Sequence, residues 1–287
     1  MTRVCVTGAS GYLGSHICSG LLKPGYELIC VDIVPSEDDY GEFRQVDFRN
    51  AEDTLKALEG AEVLIHCASI HPWKSYTDEE YLDNNVKGTW NVLRAAVEHG
   101  IDRVILTSSI AASGYNPEPD LCPVDESYQQ QSLGDIYSIT KHFQEMIARH
   151  FCQNTGMKVI ALRPPNFTPK PPLQNGAALL SGCLVVEDIA SAHLKALDIR
   201  DKVQEGFEPF FITATFPYSQ EEERELPGNP KGVLDKHFPG AWDWFEERGV
   251  KLHPVVTQYD SSKAKRVLGW QPEYTFDRWW EENNRKE

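Results

Sequence analysis

Residues Thr7-Gly-Ala-Ser-Gly-Tyr-Leu-Gly14 restrict this chain more than any other stretch. They follow a short apolar run, Arg3-Val-Cys-Val-Thr7, and lead into an amphipathic segment that continues to about Leu22. Strand, tight glycine turn and helix is the context in which such glycines carry meaning. Gly8 can take the turn, Gly11 lets backbone approach a pyrophosphate, and Gly14 lets the helix pack against the strand. The helix N-terminus then offers free N–H groups and a positive dipole end to phosphates. The spacing is G-x-x-G-x-x-G, and a dinucleotide is the ligand it predicts. The next strand, Glu27-Leu-Ile-Cys-Val-Asp32, ends in an acid placed to accept hydrogen bonds from the adenosine ribose. No Arg or Lys follows closely, and Asp32 would repel an extra phosphate, so NAD is expected rather than NADP.

Beyond this opening the chain alternates. Phe43 to Asp47 reads as a third strand, Asn50 to Leu58 as a helix, and Glu62 to His66 as a buried parallel strand running on into Cys67-Ala-Ser69. Glu79 to His99 is predicted as one long helix and Arg103 to Thr107 as a fifth strand. After Asp188 a helix is expected to about Ile199, then a last strand at Pro209 to Thr213. Such alternation predicts an α/β fold, a doubly wound parallel sheet with ligands at the C-terminal ends of its strands. Residues 1–163 and 187–213 are expected to form the dinucleotide-binding domain. Residues 164–186 and 214–287 are expected to form a smaller C-terminal substrate lobe.

A second chemical signal is Tyr137-Ser-Ile-Thr-Lys141. Ile139, Phe143, Met146, Ile147 and Phe151 recur at helical spacing and Gly156 closes the segment. Tyr137 and Lys141 therefore project from one helix face. A free phenol titrates near pH 10; a nearby ammonium is expected to lower that value and make Tyr137 usable for proton transfer.

Composition excludes several classes. A formal charge of −15 argues against a nucleic-acid partner. No run approaches the roughly 18 apolar residues of a membrane helix, and the N-terminus lacks the features of a signal peptide. Seven cysteines are scattered without a C-x-x-C pair, so they read as small core residues in a reducing compartment, with no metal site indicated. Cytoplasm is the expected location.

With these pieces in view the chain resembles an extended short-chain dehydrogenase/reductase of the NAD-dependent epimerase/dehydratase family. The matching segments are the glycine turn, Val46-Asp47, Ile65-His-Cys-Ala68, Asp83 to Leu93, Leu106-Thr-Ser-Ser109, Tyr137-x-x-x-Lys141, Leu162-Arg-Pro164 and Val186-Glu-Asp188. Tyr259 to Ala264 and Leu268-Gly-Trp-Gln-Pro272 complete the series in the family's order. The resemblance implies that Tyr137 is the general acid/base and Lys141 a ribose-binding residue that tunes it. It implies that Ser109 holds the substrate oxygen and that Asn85 belongs to the catalytic set. Gly8, Ser10, Gly11, Tyr12, Leu13, Gly14, Asp32, Asp47, Phe48, Cys67, Ala68, Lys141 and Pro164 correspond to cofactor positions. Ser108, His71 and Asn166 are candidate substrate contacts.

The reaction class follows from what is missing. The family's dehydratases carry an acid pair beside the serine, whereas Ser109 is followed here by Ile110-Ala-Ala-Ser113. Nucleotide-sugar epimerases carry a longer region between Arg-Pro and Val-x-Asp than the short stretch from Pro164 to Val186. That stretch, and Arg163-Pro-Pro-Asn-Phe-Thr-Pro169, resemble the uronate-dehydrogenase branch. The branch's carboxylate-gripping arginine is absent from Asn175 to Ser181, leaving Lys170 and His71 as replacements. The expected function is an NAD-dependent oxidoreductase moving hydride to or from a small hydroxyl or carbonyl substrate, sugar- or sugar-acid-like. A nucleotide-sugar 4-epimerase and a non-catalytic dinucleotide sensor are the alternatives. Trp90 and Val97 fall off the expected core stripe of Leu82, Val86, Leu93 and Ala96, which suggests a homodimer.

Overall fold

The alternation is realised in a computed structural model, which describes residues 1–130, 134–199 and 206–284. In chain order the elements begin with β1 (Thr2–Thr7), α1 (Tyr12–Leu21), β2 (Tyr26–Asp32), β3 (Glu42–Gln45), α2 (Ala51–Ala57) and β4 (Val63–His66). Next come α3 (Asp78–Tyr81), α4 (Gly88–Glu98), β5 (Arg103–Thr107), α5 (Ile136–Thr155) and β6 (Lys158–Arg163). The remainder is α6 (Pro172–Leu180), α7 (Val186–Ile199), β7 (Phe207–Phe211), α8 (Gln220–Glu225), α9 (Pro230–His237), α10 (Ala241–Glu247) and α11 (Phe276–Asn283).

The seven strands form one parallel sheet in the order β3-β2-β1-β4-β5-β6-β7. This is the expected doubly wound Rossmann arrangement. The order switches between β1 and β4, where open α/β sheets leave a crevice at the strand ends. Central strands are buried on both faces, which is why Val4 to Val6, Leu28 to Val31, Val63 to Ile65 and Val104 to Leu106 read as continuous apolar runs.

The chain divides into two compact units. The first is Met1–Tyr115, Tyr128–Pro164 and Ala190–Phe210; the second is Asn116–Ser127, Pro165–Ile189 and Phe211–Glu287. The second takes in residues 116–127, which the sequence boundaries place with the first; a parallel bridge ties Val124 to Tyr259. Its core gathers Leu179, Leu180, Leu234, Phe245, Trp279 and Trp280. There the Asp188 carboxylate accepts the Glu273 and Tyr274 N–H groups at 2.8 and 3.1 Å.

Four expectations need correction. The third strand stops at Gln45, so Val46 and Asp47 lie just past it. The last strand spans Phe207–Phe211 and begins where the Gly206 carbonyl takes the Val159 N–H. The helix read as continuous over 79–99 contains a wide π turn at Leu82–Lys87, with Gly88 N bonded to Asp83 O. That turn rotates the apolar stripe: Leu82 is 41% exposed, while Val97 packs against the main core. Cys5, Cys18 and Cys30 are buried, but the other four cysteines are only half-buried. Among the described residues no helix is long and apolar enough to cross a membrane.

Candidate active site

Three strand ends and one helix of the first unit build the site. β1 ends at Thr7 and passes into the glycine turn. Gly8 has φ +71°, and a Cβ there would lie 2.8 Å from Ala68 N. A Cβ on Gly14 would fall 2.0 Å from Gly8 O, so only glycine lets α1 start this close to β1. Gly11 caps α1 with no side-chain hydrogen bond, and no acidic residue occupies the first turn. The first turn of α1 thus carries no carboxylate of its own to compete for its N–H groups and positive dipole end. Leu13 is buried, so only its backbone can face a ligand. At the end of β2 the Asp32 carboxylate accepts Ser10 N at 3.0 Å and Ile33 N at 2.7 Å, which fixes it beside the turn. Asp47 is clamped by Arg49 at 2.6 Å, and the Phe48 carbonyl takes Asn91 Nδ2 at 2.8 Å. A close turn, a helix end free of side-chain caps and a carboxylate at the neighbouring strand end fit a dinucleotide pyrophosphate and ribose.

β4 ends at His66 and gives way to Cys67, Ala68 and an irregular stretch. Asn85 holds that stretch from the π turn: its Oδ1 accepts Ile70 N at 2.8 Å, and its Nδ2 donates to Ile70 O and Thr140 Oγ1, each at 3.1 Å. With its whole amide so engaged and no exposure, Asn85 braces the loop against α5. Cys67 Sγ accepts a hydrogen bond from Thr107 Oγ1 at 3.1 Å, and burial lifts its thiol pKa to about 11.

β5 ends at Thr107 and passes to Ser108 and Ser109. Ser109 Oγ accepts Ala111 N at 3.1 Å, and its hydroxyl lies near enough to the Tyr137 phenol to favour the phenolate. Ser108 points elsewhere, donating to Glu145 Oε1 at 2.6 Å. Pro164 meets this segment through its carbonyl, which takes Ile110 N at 3.1 Å.

Asp135 caps α5 by accepting Ser138 N, and from there Tyr137, Lys141 and Glu145 fall on one stripe. Tyr137 is 6% exposed and Lys141 3%. Lys141 Nζ lies 5.8 Å from the Tyr137 ring centroid and donates to Thr107 O at 3.0 Å. Burial brings Lys141 down to about 8. The phenol departs from expectation. Burial, then Tyr115 nearby, raise its pKa, and the neighbouring Ser109 hydroxyl only partly offsets them. Lys141 spends a donor on Thr107 O and desolvation governs, so Tyr137 stands protonated at neutral pH.

Around the phenol lie His71, whose ring centroid is 4.8 Å from that of Tyr137, and Tyr81 at 6.4 Å. Asn166 belongs to the second unit, where its Oδ1 accepts Thr168 N at 2.8 Å and its carbonyl takes Leu184 N. Ser109, Tyr137, Lys141 and His71 are therefore brought together, whereas Ser108 and Asn85 are occupied by the fold.

Sequence reasoning missed the layer beneath. Arg163 grips Glu145 with Nε at 2.8 Å and Nη2 at 2.7 Å, both side chains buried. Burial alone would raise Glu145, but Arg163 and Ser108 hold it below the usual carboxylate range. The signal was present: Glu145 is one helical turn beyond Lys141. A second line runs from Thr7 Oγ1 through His66 to Thr89 Oγ1 and Gln144 Nε2 at 2.7, 3.0 and 2.7 Å.

Comparison with known proteins adds to this geometry. The model of the NAD dependent epimerase/dehydratase family matches residues 4–176. A UDP-glucose 4-epimerase of Rhizobium meliloti is 27% identical across 95% of this chain and 93% of its own length. The decarboxylating sterol-4-alpha-carboxylate 3-dehydrogenase of Bos taurus is 30% identical across 96% of this chain and 89% of its own. Among solved structures, a short-chain dehydrogenase/reductase superfamily protein from Agrobacterium tumefaciens with bound NAD superposes with TM-score 0.74. It is 20% identical, and the match covers 98% of this chain and 95% of that one.

Proposed function

This chain belongs to the NAD-dependent epimerase/dehydratase family, and we propose that within it the chain is an oxidoreductase of a small hydroxyl or carbonyl substrate, sugar- or sugar-acid-like. The observation that carries the reading is the meeting of Ser109, Tyr137 and Lys141 at the end of β5. NAD, when bound, supplies the hydride acceptor or donor. The N–H groups of the glycine turn and of Tyr12 and Leu13 would hold its pyrophosphate, and Asp32 the adenosine ribose. Asp47 and Phe48 would lie toward the adenine, and Cys67, Ala68 and Pro164 along the remaining wall.

Each protein group then has a task. Ser109 fixes the substrate oxygen beside the phenol. Tyr137, protonated at neutral pH, gives its proton to a carbonyl oxygen during reduction; oxidation starts from its phenolate, the proton first released to solvent, and the phenolate takes the hydroxyl proton. Lys141 has three N–H donors and uses one on Thr107 O, leaving others for the nicotinamide ribose. Its charge favours the phenolate whenever the proton leaves. Asn85 acts as a positioning residue, keeping the Ile70 loop in register with α5.

A second reading, a nucleotide-sugar 4-epimerase, draws on the relative of that activity. The short Pro164–Val186 stretch counts against it, offering little material to cradle a nucleoside diphosphate. A homodimer through α4 and α5 also belongs to the proposal, because Trp90, Phe143 and Met146 stay 42%, 38% and 52% exposed there.

The test is a screen of aldoses, uronic acids, polyols and nucleotide sugars with NAD, following NADH absorbance. Free sugars, sugar acids or polyols are expected to respond. Response to nucleotide sugars alone, with saturable UDP binding, would replace this reading with the epimerase.

A further inference from the structure

His71 lies on the irregular stretch after β4, edge-on to Tyr137 at 4.8 Å between ring centroids and to Trp73 at 5.1 Å. Its Nδ1 is buried and makes no hydrogen bond to the described residues. Burial first, and the Lys141 charge second, depress its pKa to about 4, so the ring is neutral at pH 7. A neutral imidazole carries one N–H and one lone pair. Burying an N–H without an acceptor is costly, and an idle acceptor is the cheaper vacancy. The proton therefore sits on Nε2. Ile70, Tyr81, Ala111, Tyr115 and Ile136 pack around the phenol, and Ser109 and Lys141 are the polar groups already assigned to it. An imidazole donor against the ring of the proton-transfer residue, with Ser109 and Lys141 already committed to the phenol and the cofactor, is placed to read a second oxygen on the molecule whose first oxygen meets Tyr137.

We propose that His71 determines specificity, donating from Nε2 to an oxygen on the substrate carbon next to the one that exchanges hydride. This rests on the reading of Tyr137 as the proton-transfer residue. It selects vicinal diols and α-hydroxy carbonyls, the functional pattern of sugars and polyols, over isolated alcohols and ketones.

The experiment pairs each compound that responds in the NADH screen with its analogue lacking the neighbouring hydroxyl, for example an aldose with its 2-deoxy form. Wild type, His71→Phe and His71→Gln are compared. Phenylalanine keeps the ring packed on Tyr137 and Trp73 but has no donor; glutamine keeps an N–H. His71→Phe is expected to lose roughly tenfold in kcat/KM on the hydroxylated compound, mainly through KM, and little on the deoxy analogue. His71→Gln should recover part of the loss. Equal losses on both compounds, or a loss confined to kcat, would overturn the proposal while leaving the oxidoreductase reading intact. No NADH signal from wild type with any compound would overturn both.

Discussion

Replacing Glu145 with glutamine removes one negative charge from a buried position beside Arg163. Glu145 and Arg163 are 3% and 2% exposed, and the guanidinium meets the carboxylate through two hydrogen bonds, at 2.8 and 2.7 Å. Ser108 adds a third at 2.6 Å. Breaking a buried pair from one side costs about 3–5 kcal/mol, because the surviving charge stays buried and loses this carboxylate. Removing both charges is cheaper: Glu145→Leu with Arg163→Met leaves no unmatched buried charge of the pair, and the Ser108 hydroxyl loses its acceptor at about 1–3 kcal/mol. Urea unfolding followed by far-UV circular dichroism, fitted to the transition of the sheet-bearing unit, measures both. Since Ser108 adjoins Ser109, turnover should fall in Glu145→Gln while the folded fraction remains high in the absence of urea. A cost below about 1 kcal/mol for Glu145→Gln, or a double variant as costly as the two single ones added, would refute the reasoning.

Gly14→Ala should abolish measurable NADH binding by fluorescence titration, because its Cβ meets Gly8 O at 2.0 Å; Gly11→Ala, at 3.2 Å from the same atom, should weaken binding far less. His66 is buried, and its pKa falls from 6.5 to about 3 through burial first and Lys141 second. Its folded pKa lies below the unfolded one, so the stability it contributes is present above pH 6.5 and lost as pH falls toward 3. The loss amounts to about 3 kcal/mol between pH 6.5 and 4. Chemical denaturation across that range should show it, and His66→Gln should flatten the slope.

Local chemistry was legible in the sequence and tertiary consequences were not. The glycine turn could be read because steric demands at Gly8 and Gly14 are met within a few residues of chain. Tyr137 and Lys141 could be placed together because a single helix fixes their spacing. The π turn at Leu82–Lys87 could not be read, since Asn85 makes its bonds to Ile70 and Thr140, distant in the chain. The same turn misdirected the apolar stripe and left Leu82 in solvent. Nor could the sequence weigh Lys141 against burial at Tyr137. A charge one helical turn away predicts a lowered phenol, but the walls that desolvate it come from Tyr81, Ala111 and Tyr115. Glu145 was legible in principle, being the next residue on the Tyr137–Lys141 stripe, yet its value depends on Arg163 arriving from β6.

Tyr137→Phe removes one oxygen atom and leaves the glycine turn, Asp32 and the packing of α5 in place. The decisive measurement sets NADH affinity beside turnover of whichever compound the screen identifies. Affinity within about twofold of wild type and turnover lower by ~10²–10⁴ is the expected result. Ordinary turnover in that variant would mean that protons travel by another route and that the phenol at the end of β5 is only part of the wall.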